Sequence, residues 1–258
     1  VKTICVGNLT AGGTGKSPHI EYLIRLLKDE FEIATLSRGY GRKTRGYFLA
    51  SKATKASEVG DEPLQFKRKF PKVHVAVDAR RSEGIEFLTN YFNTLKVVLL
   101  DDAFQHRAIR PQVNILLTTF SKPYFKDFVL PSGNLREPRN GISRAEIIVI
   151  SKSPAEISEN QKNEIISQIN LKHKTIGFSH EVFGELKCVS GSNKIDNEAI
   201  LVTGIANPDS LINHLNEISI QFKHKKYSDH YNYSASDIHE MIVEADNKPI
   251  ITTEKDWM

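Results

Sequence analysis

Apolar residues in this chain fall into short runs separated by stretches of helical periodicity, and the first such alternation sets the frame. Residues 2–6 are apolar and β-branched, whereas Ile20, Leu23, Ile24 and Leu27 recur at helical spacing. A strand therefore turns into a helix beginning near Pro18. Further strands are predicted at 31–36, 72–77, 96–100, 113–118 and 146–150, with helical patterns after Pro63, over 82–91 and over the polar stretch 155–172. Strands alternating with helices predict an α/β fold with a mostly parallel sheet flanked by helices. Beyond 172 the apolar runs at 175–178, 186–189, 199–204 and 249–252 read as a second, smaller α/β lobe. The division is drawn between 153 and 154, giving a core of 1–153 and a lobe of 154–258 that closes over the core's site.

The first strand-to-helix turn holds the strongest chemical signal, Val6-Gly7-Asn8-Leu9-Thr10-Ala11-Gly12-Gly13-Thr14-Gly15-Lys16-Ser17. Glycines here let backbone N–H groups approach an anion, and the following helix adds its positive N-terminal end. This is a phosphate-binding loop and makes the core P-loop NTPase-type. Residues 10–17 cradle the nucleotide phosphates, Lys16 reaches the β/γ-phosphates and the Ser17 hydroxyl ligates Mg²⁺. The general pattern has Gly where Thr10 stands.

Other motifs sit at predicted strand ends, the edge where open α/β sheets bind ligands. Ser37-Arg38-Gly39-Tyr40-Gly41-Arg42 reads either as a clamp for a phosphate or sugar through Arg38 and Arg42 or as a turn with solvated arginines. Gly60-Asp61-Glu62-Pro63 opens a helix; its acids either favour the helix N-terminus or, at Asp61, take a proton from an attacking hydroxyl. The third strand ends in Asp78-Ala79-Arg80-Arg81. The fourth delivers Asp101-Asp102-Ala103-Phe104-Gln105-His106-Arg107, and paired acids after buried apolars have the form of a Walker B element holding Mg²⁺. His106 reads as a ligand, a hydrogen-bonding partner or a plain loop residue. A long loop follows the fifth strand; Arg136 and Arg139 can neutralise a transferring phosphoryl group, and Tyr124, Phe125, Phe128, Val129 and Leu130 can line an apolar slot. Pro154 stands where guanine-binding proteins have Asp, leaving adenine as the base; Asn193-Lys194-Ile195-Asp196 reads as a chance match. In the smaller lobe Asp229 adjoins His230, and a carboxylate can orient an imidazole or raise its pKa.

Composition narrows the field only modestly. Among 258 residues, 35 Lys and Arg against 31 Asp and Glu give a net charge of +4, too small to imply nucleic acid but suited to an anionic substrate. Basic clusters at 42–45, 67–69 and 224–226 read as solvated faces. Cys5 and Cys188 give no metal spacing, and a reducing compartment is the simplest inference. No apolar run approaches the ~20 residues of a membrane span. The chain opens inside a strand without Met, which suggests a segment of a longer protein.

Taken together, Gly-Asn-Leu-Thr-x-Gly-Gly-Thr-Gly-Lys-Ser-Pro at 7–18, Ser-Arg-Gly-Tyr-Gly-Arg at 37–42, Gly-Asp-Glu-Pro at 60–63, Asp-Asp-Ala-Phe-Gln-His-Arg at 101–107, Leu-Pro-x-Gly-x-Leu-Arg-Glu-Pro at 130–138, Val-Thr-Gly-Ile-Ala-Asn-Pro at 202–208, Ser-Asp-His at 228–230 and Thr-Thr-Glu-Lys-Asp at 252–256 resemble the tetraacyldisaccharide 4′-kinases of lipid A biosynthesis. The resemblance implies transfer of the ATP γ-phosphoryl group, with Mg²⁺, to the 4′-hydroxyl of a lipid disaccharide 1-phosphate at the cytoplasmic face of the inner membrane; a monomer is expected, although the sequence itself does not show oligomeric state. It maps the catalytic pair onto Asp61 and His230, the phosphate-loop pair onto Lys16 and Ser17, the Walker B acids onto Asp101 and Asp102, and a loop near the acceptor onto Arg136 and Glu137. Lys16 and Arg136 are expected to act beside the catalytic pair, Ser17, Asp101 and Asp102 to ligate the metal, and Arg38, Arg42, Arg80, His106 and Glu137 to contact the substrate. The family's N-terminal hydrophobic helix has no counterpart in this sequence. Two other classes compete. A nucleotide-gated regulatory ATPase would carry a lysine where Ala11 stands, and a kinase of soluble sugars would differ only in its acceptor.

Overall fold

A computed structural model describes residues 1–169, 174–191, 198–229 and 231–257. The chain divides into two compact units, Val1–Glu181 and Val182–Met258.

The first unit is built on an eight-stranded sheet. In chain order its elements are β1 (Lys2–Asn8), α1 (Lys16–Leu27), β2 (Ile33–Ser37), β3 (Phe48–Leu49), α2 (Ala56–Val59), α3 (Asp61–Lys69), β4 (His74–Val77), α4 (Arg81–Tyr91), β5 (Val97–Asp101), β6 (Val113–Thr119), β7 (Ile147–Ser151), α5 (Glu159–Ile169) and β8 (Thr175–Phe178). The spatial order is β3-β4-β2-β5-β1-β6-β7-β8. Every pairing is parallel except that of the two-residue β3 with β4. Every residue of β2 and of β5 is buried, as expected of parallel strands covered on both faces. The core joins these strands to Leu9, Phe104, Tyr124, Leu135 and Ile142 from the loops at the sheet's carboxyl edge, so those loops are packed onto the scaffold they decorate.

The chain leaves β1 for β2 on one side and returns from β5 to β6 on the other. The carboxyl ends of β1 and β5 thus meet at a topological switch point, where open sheets make their ligand crevice.

The second unit contains β9 (Glu198–Thr203), α6 (Asp209–Glu217), β10 (Gln221–Lys226), α7 (Ala235–Ala245) and β11 (Ile250–Thr252), with a parallel sheet ordered β10-β9-β11. Alternation along β9 divides its side chains between two small cores: Ala199 and Leu201 pack with Leu215 of α6 and Ile251, while Ile200 and Val202 pack with Met241 and Ala245 of α7.

Three expectations change. Residues 175–178 belong to the large sheet, where β8 pairs with β7, so the break between compact units falls at 181/182 rather than 153/154. Residues 186–189 form no strand, and Leu186 and Val189 are exposed: an apolar run without a neighbouring strand has nothing to pair with. Conversely, β10 covers the cluster read as a solvated basic face. It is an edge strand whose Lys223 and Lys225 are drawn to Glu244 and Glu240 of α7, a common way of blunting an exposed edge. Among the described residues no helix is long and apolar enough to cross a membrane.

Candidate active site

The loop between β1 and α1 is shaped by its neighbours. Gly15 takes φ 82° as the residue before α1, a left-handed conformation that would strain a side chain there. Asn8 Nδ2 donates to Thr14 Oγ1 at 2.9 Å, and Ser151 Oγ, at the end of β7, donates to the Thr14 carbonyl at 2.8 Å. The long loop after β6 fastens to the other flank: Ala11 N donates to Asn134 O and Arg136 N to Leu9 O, each at 2.7 Å, and Thr10 bridges to Leu135. Two adjoining segments therefore hold the cradle's backbone in place.

Two cations and three carboxylates gather beside it. Lys16, at the start of α1, lies 3.7 Å from Asp102 Oδ1, and Arg136 Nη1 donates to both Asp102 oxygens at 3.0 Å. Asp102 has φ 47°, so the chain turns sharply as it leaves β5. Ser17 Oγ donates to Glu62 Oε1 at 2.8 Å, which draws the first turn of α3, and with it Asp61, against the phosphate loop. Asp101 is buried, and its Oδ1 has no partner among the described residues. Burial first, then the negative charges of Glu62 and Asp102, push its carboxyl well above the usual carboxylate range. Glu62 was read from sequence as a helix-start residue; its place on Ser17 makes it the carboxylate nearest the expected metal-binding hydroxyl.

A second, positive group lies near the ends of β2, β4 and β5. Burial, followed by the charge of Arg38, makes the Arg81 guanidinium easier to deprotonate; Asp101 and Asp102 oppose the shift. Arg81 is only 3% exposed, donates to the carbonyls of Asp78 and Ala79 and leaves its Nε without a partner among the described residues. Burial, then Arg81 and Arg38, hold His106 below the ordinary histidine range, and its buried Nε2 is also unpartnered among the described residues.

Several substrate contacts expected from the sequence lie elsewhere. Arg80 points outward and pairs with Glu83 at 2.8 Å, whereas Arg81, which the motif reading passed over, is the inward residue. Arg42 donates to the carbonyls of Val77 and Gly46 and so ties down its own loop. Glu137 is buried and accepts from Arg144 at 2.6 Å and Gln105 at 3.0 Å, with Arg107 at 3.5 Å. Gln105 also donates to Asn8 O at 2.8 Å, which makes Glu137 the hub joining three loops rather than an open binding group. The expected apolar slot divides: Tyr124 is buried and Phe125 packs on the core, while Phe128, Val129 and Leu130 face solvent. His230 and Asn193-Lys194-Ile195-Asp196 lie outside the described residues; the neighbouring Asp229 pairs with Lys255 at 2.7 Å.

A protein-family model described as tetraacyldisaccharide-1-P 4'-kinase matches residues 1–258. Tetraacyldisaccharide 4'-kinase of Flavobacterium psychrophilum is 43% identical over 266 residues, covering 100% of this chain and 77% of that protein. The enzyme of the same name from Bacteroides thetaiotaomicron is 41% identical, covering 99% and 73%. Among solved structures, LpxK from Aquifex aeolicus in complex with ATP matches with a TM-score of 0.75 at 30% identity, covering 99% of this chain and 78% of that one. The chain belongs to the tetraacyldisaccharide 4'-kinase family.

Proposed function

We propose that the protein transfers the γ-phosphoryl group of ATP to the 4′-hydroxyl of tetraacyldisaccharide 1-phosphate at the cytoplasmic face of the inner membrane. The observation that supports this best is the convergence of Lys16 and Arg136 on Asp102, at 3.7 and 3.0 Å. Asp102 occupies the two cations as an internal anion. When nucleotide phosphates enter the cradle, Lys16 and Arg136 can exchange the carboxylate for phosphoryl oxygens without leaving the site.

The donor set fits Mg²⁺. Ser17 and Glu62 offer adjoining oxygens, Asp101 has an orphaned buried oxygen, and three acids this close call for a cation. An ion of this kind takes one or two protein carboxylates together with substrate phosphates. Ser17, with one or two of Glu62, Asp101 and Asp102, would hold it. Bound there, Mg²⁺ neutralises charge building on the β- and γ-phosphates.

The remaining roles belong to the chain's own groups. Loop amides and Lys16 orient the phosphates, Arg136 offsets charge on the phosphoryl group in flight, and Arg38, Arg81 and His106 receive an anionic part of the acceptor. Asp61 takes the proton from the acceptor hydroxyl, a contribution of roughly 10²–10⁴-fold.

Incubation with labelled ATP and either the lipid disaccharide in detergent or water-soluble sugars tests the reading. Label should enter the lipid alone, and entry into soluble sugars alone would replace it with a soluble-acceptor kinase. Asp61→Asn should lose most transfer; a wild-type rate would remove Asp61 as the base.

A further inference from the structure

We propose that the loop tip Phe128-Val129-Leu130 is a docking element that inserts into the surface of an anionic lipid bilayer. These consecutive residues are 63%, 40% and 53% exposed. Single apolar residues on a surface need no explanation, but a run of three at one tip does. The tip is held in a defined shape. Leu130 N donates to Leu135 O, Leu135 N to Phe128 O and Ser132 N to Val129 O, all between 2.9 and 3.0 Å, and Asp127 Oδ1 accepts from the backbone N–H groups of Phe128 and Asn134. The apolar side chains are thus displayed outward by an ordered turn whose other end, Leu135, is fully buried.

The charges around the tip indicate the occupant. Lys122, Lys126 and Arg139 flank it in sequence. The Arg139 guanidinium carbon lies 5.0 Å from the Phe128 ring centre, and its Nε donates to Asp127 O. The nearby acids are spent within the chain, Asp127 on backbone amides and Glu137 on Arg144. An apolar tip with Arg139 on its ring and exposed lysines beside it in the chain fits a bilayer interface, where the apolar groups reach the acyl boundary and the cations meet lipid phosphates. Three side chains are far fewer than the ~20–30 residues per side of a stable protein interface, which disfavours a protein partner. The inference rests on the lipid acceptor proposed above. The loop is bonded to the phosphate cradle through Ala11 and Leu9, so docking the tip would bring the site to the level of the lipid headgroups.

The test is sedimentation of the 258-residue chain with vesicles of phosphatidylethanolamine and phosphatidylglycerol, and with phosphatidylcholine alone, comparing wild type with a Phe128→Ser, Leu130→Ser variant and with Lys126→Gln. Wild type should prefer the anionic vesicles. The double variant should lose at least about tenfold in partitioning, with unchanged thermal unfolding and ATP affinity, and Lys126→Gln should lose a smaller, salt-sensitive part. Equal partitioning of wild type and the double variant would overturn the inference. So would self-association of wild type, seen by sedimentation velocity and abolished in the double variant, since the tip would then serve a second copy. Transfer to detergent-dispersed lipid disaccharide is assayed separately. Vesicle binding that depends on Phe128 and Leu130 without such transfer would uphold docking and refute the acceptor assignment, whereas transfer with tip-independent vesicle binding would overturn docking alone.

Discussion

Replacing Glu137 by alanine should cost the first unit about 2–4 kcal/mol. The figure follows from the carboxylate's partners. Truncating one member of a buried ion pair costs about 3–5 kcal/mol, because the other charge is left without compensation. Arg144 is the principal partner, but its side chain is 32% exposed, so water recovers part of that loss. Arg107, at 74% exposure and 3.5 Å, contributes next to nothing. The hydrogen bond from Gln105 adds roughly 1.5 kcal/mol as a bond to a charged group. For a protein of this size the sum corresponds to a fall in melting temperature of about 5–15 °C.

Acidification supplies a second, independent reading. Burial alone would raise the proton affinity of Glu137, but the hydrogen bonds from Arg144 and Gln105 and the charge of Arg144 outweigh it, holding the carboxyl below its ordinary value of 4.5. A depressed folded-state value means the stabilisation is complete above the unfolded value and is lost as pH falls through the folded one. Urea unfolding of wild type and Glu137→Gln should therefore differ most near neutrality and converge on the acid side of 4.5. A loss under about 0.5 kcal/mol for Glu137→Ala, the range of an ordinary surface change, would refute the hub. So would a wild-type to Gln difference that did not narrow on acidification.

Gly7→Ala should destabilise by about 1–3 kcal/mol in thermal unfolding, because the added methyl would meet Phe104 Cβ at 2.5 Å. Wild-type stability would mean that β1 and the segment after β5 are not packed that closely. Arg80→Ala, removing an exposed pair with Glu83, should stay within about 0.5 kcal/mol and leave the acceptor KM unchanged, whereas Arg81→Ala should raise that KM at least about tenfold by removing charge from the anion pocket. The reverse ranking would reassign the pocket. Ser17→Ala should fold normally and keep the magnesium-independent part of its ATP affinity by calorimetry while losing the gain on adding Mg²⁺; an undiminished gain would take Ser17 out of the metal site.

The sequence showed best those features that depend on one residue and its immediate neighbours. The cradle at 10–17 was legible because glycines, a Lys-Ser pair and a change of hydrophobic period coincide within one turn, and β1, β2, β5 and β6 were legible because central parallel strands are apolar on both faces. What failed depended on distant partners. Arg80 and Arg81 are indistinguishable as text, and only the start of α4 decides that Arg81 turns inward while Arg80 meets Glu83. Residues 175–178 and 186–189 look alike as apolar runs, yet only the first finds an open edge, on β7. Glu62 could be read as a helix-start acid because nothing local reveals that Ser17, 45 residues earlier, lies 2.8 Å away.

The Arg-Glu pair at 136 and 137 makes the same point within a single motif. Both residues were expected at the reaction, Arg136 on the phosphoryl group and Glu137 on the substrate, because they adjoin in a loop expected near the acceptor. The hydrogen bonds show that the two side chains part: Arg136 meets Asp102 beside the phosphate cradle, while Glu137 meets Arg144 and Gln105 in the interior. The two neighbours therefore cannot share a role. Arg136 is free to trade its carboxylate for a phosphoryl group because Glu137 fixes the loop from behind, so loosening Glu137 should raise the cost of placing Arg136 even though neither Glu137 oxygen faces the site.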